Sequence, residues 1–330
     1  MTDPEICAAV RQHYGLAVRA VERIDRGSAA LFKLYGSEAA FILKVFQPKF
    51  RADSILREVH VTDFLRQNGI SVPEYISCRN GDFYFMQNGR IAILQAFIPG
   101  QTREKGCCSK RELLDSARLL AQIVNALEHY PYDDLLPCEI SRYGSAARLL
   151  QATAAYAAVM AAAHADAVHG AEICRDLQDR LVMIARVSDA GAFVNTNALT
   201  IKRSHGDYSV MQLLYDGSEI KAVLDFVNAG EVPIAWELIR SYSYMDCTFN
   251  AARLAAYTNE YRRYAEVSMD DLRYMPYLYL GQLLSSTYGY KQYLQTGDEE
   301  LLAFGRWRTE MCRYLIANAG EVSAELVRLA

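Results

Sequence analysis

Apolar and polar positions alternate along the first hundred residues and then change period. A short helix is predicted over residues 4–14. After it, residues 21–26 (VERIDR), 29–36 (AALFKLYG) and 40–46 (AFILKVF) read as three strands joined by the turns Gly27-Ser28 and Gly36-Ser37-Glu38. Residues 52–68 repeat at helical spacing and stop at Gly69, a helix terminator. Residues 82–86 (DFYFM) and 91–97 (IAILQAF) flank Gln87-Asn88-Gly89-Arg90, so they predict a second hairpin with an Asn-Gly turn. About five strands and one inserted helix result, and Pro99-Gly100 closes the unit.

From about residue 110 the period is that of helices. The exceptions are QLLY and IKAVLDF, within residues 212–226, which read as strands joined at Asp216-Gly217. Residues 235–245, 251–267, 271–294 and the tail read as helical and rich in tyrosine. The layout is α+β, with a small antiparallel β-sheet lobe carrying one helix over residues 1–98 and a larger, mostly helical lobe over 99–330. A seam between two lobes is a common place for a ligand.

Composition narrows the class. At 330 residues, 52% hydrophobic and 22% charged, the chain can bury an ample core in one large or two modest domains. A net charge of -4 provides no general attraction to nucleic acid. The first fifteen residues lack a basic start followed by an apolar core, so no signal peptide is expected. The alanine-rich run 149–168 is interrupted by Gln151, His164 and Asp166 and is expected to be a buried helix, with no membrane association. Eight scattered cysteines without a CxxC spacing read as reduced, mostly buried thiols, which places the protein in the cytoplasm.

Candidate chemistry concentrates in SHGDYSVMQLLYDGSEIKAVLDF, residues 204–226. The hairpin returns the chain so that Asp207 and Asp225 lie at the same end of two strands. Two converging carboxylates repel unless a cation or a proton lies between them, and Mg2+ prefers oxygen ligands and phosphate. Singly, Asp207 reads as a turn residue and Asp225 as a strand-end cap. Their order with Gln212, five residues after Asp207, matches phosphoryl transfer: one Asp accepts the hydroxyl proton, while an amide and a second Asp hold the metal. In the first lobe, Lys44 alternates toward a buried face of its strand, where a lysine is costly unless paired. Glu58 shares a helix face with Ile55, Val61 and Leu65. The two can satisfy each other, with Lys44 reaching ATP phosphates. Gly27 and Ser28 lie where a loop folds over phosphates, although one glycine reads equally as a hairpin turn.

The segments H-G-D-Y-x-x-x-Q (205–212), V-L-D-F (223–226) and A-G-x-x-P-x-x-W-E-L (229–238) resemble the aminoglycoside phosphotransferase and choline kinase-like family, with its protein-kinase-like fold, over residues 18–300. HGDY with a glutamine is also similar to a bacterial spore-coat-kinase-like subgroup. The resemblance implies an ATP- and Mg2+-dependent kinase in which Asp207 is the catalytic base and Asp225 the main metal ligand. Lys44 contacts phosphate and Glu58 orients it. The hinge backbone of Gln95, Ala96 and Phe97 holds adenine, and His205 braces the loop. Two departures stand out. Gln212 replaces the usual Asn with the same amide oxygen one methylene further out, Asn228 being a weaker candidate to compensate, and Ser209-Val210-Met211 replaces the usual loop. The chain passes from Asp225-Phe226 into the next helix without an activation segment, so the expected acceptor is a small hydroxylated molecule. Tyr274, Tyr277, Tyr279, Tyr288, Tyr290 and Tyr293 read either as acceptor-binding aromatics or as helix packing. Glu237 and Arg240 read either as partners of the catalytic loop or as a surface pair. Nucleotide binding without catalysis and nucleotidyl transfer remain open alternatives.

Overall fold

A computed structural model describes residues 2–24, 29–143, 145–189, 194–246 and 248–330. The chain forms two compact units. One comprises Met1–Leu136, Arg203–Glu231 and Tyr244–Cys247; the other comprises Pro137–Lys202, Val232–Ser243 and Thr248–Ala330. Compactness therefore groups the segment around Asp207 and Asp225 with the N-terminal sheet.

In the first unit, α1 (Asp3–Tyr14) precedes β1 (Ala20–Ile24), β2 (Ala30–Tyr35) and β3 (Ala40–Val45). Then come α2 (Ala52–Gln67), β4 (Tyr75–Ile76), β5 (Tyr84–Gln87), β6 (Arg90–Ala96) and α3 (Lys110–Leu127). The six strands form one sheet in the order β1-β2-β3-β6-β4, with β5 also pairing β6. All pairs are antiparallel. The period of two sorts the side chains by face. Phe32, Leu34, Leu43, Val45, Ala92 and Leu94 pack with Ile6, Val10 and Tyr14 of α1. Ile91 and Ile93 pack with Ile55 of α2, Phe46 and Val227. Lys44 stands opposite Ile93 in the register, on this second face.

Local signals account for most boundaries. Asn88 (φ 50°) and Gly89 (φ 71°) make the left-handed pair that a two-residue hairpin needs. β4 escaped the sequence reading, because two residues show no period. β7 (Ile201–Ser204) and β10 (Gly230–Pro233) were also unpredicted, while β8 (Leu213–Asp216) and β9 (Glu219–Val223) form the expected hairpin. β9 stops at Val223, so Asp225 lies beyond the strand rather than ending it.

The second unit is helical: α4 (Ala146–Ala163), α5 (Gly170–Asp189), α6 (Ile234–Met245), α7 (Ala251–Arg262), α8 (Met269–Leu284), α9 (Tyr290–Thr296) and α10 (Glu299–Arg328). α10 packs along α8, α7, α9 and α5. The stretch read as helical over 271–294 holds two helices. Gly289 (φ 101°) starts the second, and a Cβ there would strike the Gly305 backbone of α10 at 2.7 Å.

The expectation that the alanine-rich helix is buried is corrected. α4 buries Leu149, Ala152, Tyr156, Val159 and Ala163, and the Tyr156 hydroxyl donates to the Leu284 carbonyl. Its other face is open, with Leu150 72% exposed. Alanine on both faces hides the helical period that would have shown this. Among the described residues it is the one helix long and apolar enough to cross a membrane. Three of the seven described cysteines, Cys78, Cys108 and Cys312, are buried, fewer than expected.

Candidate active site

Lys44 is the centre of a buried ion cluster in the first unit. Its Nζ donates to Glu58 Oε1 at 3.0 Å and Oε2 at 3.3 Å, and to Asp225 Oδ1 at 2.7 Å. The side chains of Lys44, Glu58 and Asp225 are 12%, 0% and 35% exposed, so the cluster opens to solvent on the Asp225 side. β3 aims Lys44 at the face covered by α2, and α2 turns Glu58 inward with Ile55, Val59, Val61 and Leu65. Two carboxylates thus share one ammonium, a net negative site.

The titration of each group follows. Burial disfavours the charged Lys44, but attraction to Glu58 and Asp225 outweighs burial and raises its pKa. Burial, joined by repulsion from Asp225, raises the pKa of Glu58 by more than Lys44 and Tyr75 lower it. Burial also pushes Asp225 upward, yet the Lys44 ammonium holds it below the usual carboxylate range. Tyr75, whose hydroxyl donates to Glu58 Oε1 at 2.8 Å, has a pKa well above that of a free phenol, because it is buried and faces Glu58. It therefore remains a donor.

The loop carrying Asp207 is stitched to the turn carrying Asp225 by three backbone features. His205 Nδ1 accepts the Asp207 N–H at 3.2 Å, so Nε2 carries the proton and donates to the Leu224 carbonyl at 2.9 Å. The Leu224 N–H donates to the Gln212 carbonyl at 2.8 Å. Gly206 (φ 75°) rests against the Asn228 carbonyl, where any Cβ would collide. Buried His205 also packs its ring 4.5 Å from that of Phe226. Asp225 itself is left-handed at φ 66°, a conformation that costs an L-residue about 1–2 kcal/mol. The strained turn swings its carboxylate back toward Lys44.

Gln212 donates from Nε2 to Asp207 Oδ2 at a long 3.5 Å. In that orientation its amide oxygen is the end left for another partner. Asn228, the weaker candidate, is exposed. Among the described residues no three His, Cys, Asp or Glu side chains cluster closely enough to hold a metal by themselves. The donor set of Asp225 and Gln212 still fits Mg2+, which is held by one or two carboxylates with water and phosphate completing the shell.

Two N–H groups of the backbone expected to hold adenine already have partners. The Ala96 N–H donates to the Glu74 carbonyl at 2.8 Å and the Phe97 N–H to the Ala40 carbonyl at 3.1 Å, so both serve the sheet. Gln95 lies opposite Ile42 and Tyr75 in the register. Gly27 and Ser28 lie outside the described residues. Of the tyrosines, Tyr279 bonds Ser243 at 2.7 Å and Tyr290 bonds Asp176 and Thr309, which makes both of them helix packing. Tyr293 is buried and Tyr288 stays exposed. Glu237 is fully buried on α6, so it is not half of a surface pair.

Two residues were not foreseen. One is Tyr75. The other is Arg57, which donates to the Val227 and Asp134 carbonyls at 3.2 Å each and so ties α2 to the segment after Asp225. A cavity of ≈ 490 Å³ behind α2 shares Tyr75 but includes none of Lys44, Asp207 or Asp225.

No curated protein matches the sequence. Solved structures do match its fold. A spectinomycin phosphotransferase in complex with ADP and spectinomycin superposes with TM-score 0.69 at 10% identity, covering 98% of this chain and 99% of that one. An amicoumacin kinase in complex with AMP-PNP, Ca2+ and Ami gives 0.65 at 13%, covering 95% and 94%. A microcompartment-associated aminopropanol kinase gives 0.64 at 15%, covering 99% and 100%. The fold is accordingly protein-kinase-like, with an antiparallel N-terminal sheet and a mostly helical remainder. A family model described as the phosphotransferase enzyme family matches residues 20–267, three quarters of the sequence and every residue of the ion cluster and its loops, and the chain belongs to that family.

Proposed function

We propose that the protein transfers the γ-phosphate of ATP to a hydroxyl of a small molecule, in the presence of Mg2+. The observation that carries this reading is Lys44 Nζ bridging Glu58 and Asp225, with Asp207 stitched to the Asp225 turn. Residues 1–98 hold the nucleotide, and residues 99–330 hold the catalytic loop and the acceptor. Asp207 takes the proton of the acceptor hydroxyl as that oxygen bonds to the γ-phosphorus. The bond to the bridging oxygen breaks, and ADP leaves. Lys44, oriented by Glu58, holds phosphate oxygens. Asp225 and the Gln212 amide oxygen hold Mg2+, which when bound neutralises charge developing on the phosphates. Adenine meets the backbone after β6, and with the Ala96 and Phe97 N–H groups engaged, the nearest candidate donor moves to Ile98. The reaction would run in the cytoplasm.

Family membership supports phosphotransfer, and the nucleotide complexes of the similar structures support the nucleotide. The acceptor is a small hydroxylated compound, as suits a chain with no activation segment between Phe226 and α6. The test is a thermal shift with ATP, with and without Mg2+, on wild type and Asp225→Ala, followed by an acceptor screen read by ADP release. A Mg2+-dependent rise in Tm that Asp225→Ala abolishes is the expected result. No shift with ATP in folded wild-type protein would overturn the reading.

A further inference from the structure

Glu58 is fully buried and meets two donors, Lys44 and the Tyr75 hydroxyl. A lysine that turns to a phosphate loosens its hold on its carboxylate. A buried carboxylate left without donors is expelled from its position or takes up a proton. Glu58 keeps a second donor, because Tyr75 binds the same oxygen that Lys44 approaches more closely.

Tyr75 is in turn fixed from its backbone. It lies on β4 opposite Gln95 of β6, and its neighbour Glu74 accepts the Ala96 N–H at 2.8 Å. Its ring packs against the cluster of Phe46, Ile55, Ile91, Ile93 and Val227. One side chain therefore connects the end of β6 to the carboxylate that sets Lys44. The ring satisfies the apolar core without the hydroxyl, so packing alone does not require a tyrosine here.

We infer that Tyr75 is a positioning residue for phosphate binding: its hydroxyl holds Glu58 ionised and in place while Lys44 engages the nucleotide. This rests on the phosphotransferase reading above. Tyr75→Phe preserves the ring and removes the donor. Other titratable groups facing Glu58 are Lys44 on β3 and Asp225 beyond β9, with His205 acting on Asp225. Losing a hydrogen bond that favours the ionised form moves the Glu58 pKa further up. Affinity that depends on ionised Glu58 then fails at a higher pH as acid is added.

The experiment is a double-mutant cycle of Tyr75→Phe and Glu58→Gln, read by MgATP titration calorimetry across pH and by urea unfolding. With Glu58 present, Tyr75→Phe is expected to weaken MgATP binding about tenfold, the size of one hydrogen bond to a charged group. It is also expected to shift the acid limb to higher pH. In the Glu58→Gln background it is expected to change neither. Equal losses in both backgrounds, or an effect in urea without one on MgATP, would leave Tyr75 a packing residue and overturn the inference. Wild type failing to bind MgATP would overturn the phosphotransferase reading and this inference with it, whereas an inert Tyr75→Phe beside a binding wild type removes this inference alone.

Discussion

Lys44 in the first unit and Arg180 in the second are both buried cations, and their surroundings differ in kind. Arg180 is fully buried, with Nε and Nη2 on Thr309 Oγ1 at 2.9 and 2.7 Å, Nη1 on the Ser286 carbonyl at 3.0 Å, and Nη2 also on the Gly305 carbonyl at 3.1 Å. Nearby Asp176 accepts from Tyr290 and from Arg313. That network ties α5 to α9, α10 and the turn before α9, and it is closed: its charged fork ends on fixed neutral oxygens. The Lys44 cluster has one cation for two carboxylates, a strained backbone at Asp225 and an edge open to solvent. A satisfied network holds helices together. A network short of positive charge is poised to accept it, which suits an Mg2+–nucleotide site.

Substitutions should separate the two. Asp207→Asn is expected to lower turnover by about 10²–10⁴, the usual contribution of a general base. Its MgATP-dependent Tm shift should survive, and near-normal turnover would break the assignment. Next, Arg180→Ala leaves the Ser286 and Gly305 carbonyls and Thr309 Oγ1 without their buried donor, at a cost of about 1–3 kcal/mol for each group left unsatisfied. Urea midpoints measure that loss, and calorimetry on the protein still folded should give wild-type MgATP affinity. A change in affinity instead would erase the contrast between the clusters. Gln212→Asn tests the departure in the loop. If the amide oxygen serves Mg2+, transfer should change by up to about a hundredfold, because one methylene shifts the ligand by about an ångström. The smallest effect concerns pH. The Asp225 pKa is lowered on folding, so its stabilisation is complete above the unfolded value of about 4 and is lost as pH falls through the folded one. Glu58 is raised and works in the opposite sense, its penalty easing as it protonates. Asp225→Asn should therefore flatten the acid arm of an unfolding curve below about pH 4, and an arm as steep as in wild type would deny the ion pair.

Much of the first unit could be read from residues alone. Lys44 and Glu58 stood out because each places a charge in an apolar period, and such a placement requires a partner. The turn at Asn88-Gly89 was legible too, because a two-residue hairpin needs two left-handed residues and these types supply them. Tyr75 gave no signal, since a tyrosine in a two-residue strand violates no pattern and its partner lies 17 positions away. The engaged N–H groups of Ala96 and Phe97 were hidden for the same reason: their acceptors come from distant stretches of chain. In the second unit, alanine on both faces concealed the open side of α4. The break before α9 was missed because the close approach of Gly289 to Gly305 is a tertiary fact.

The left-handed turn at Asp225 also bears on how this protein could lose its chemistry over generations. Asn and Gly occupy φ 66° more easily than Asp does, and either can arise from an Asp codon by one base change. The backbone offers no resistance to that step, and Lys44 would retain Glu58. A lineage released from selection for transfer should therefore drift at 225 while Arg180, which bonds α5 to α10 and to the turn before α9, stays under purifying pressure. Under the metal-holding role proposed for Asp225, an inactive descendant is one base change away.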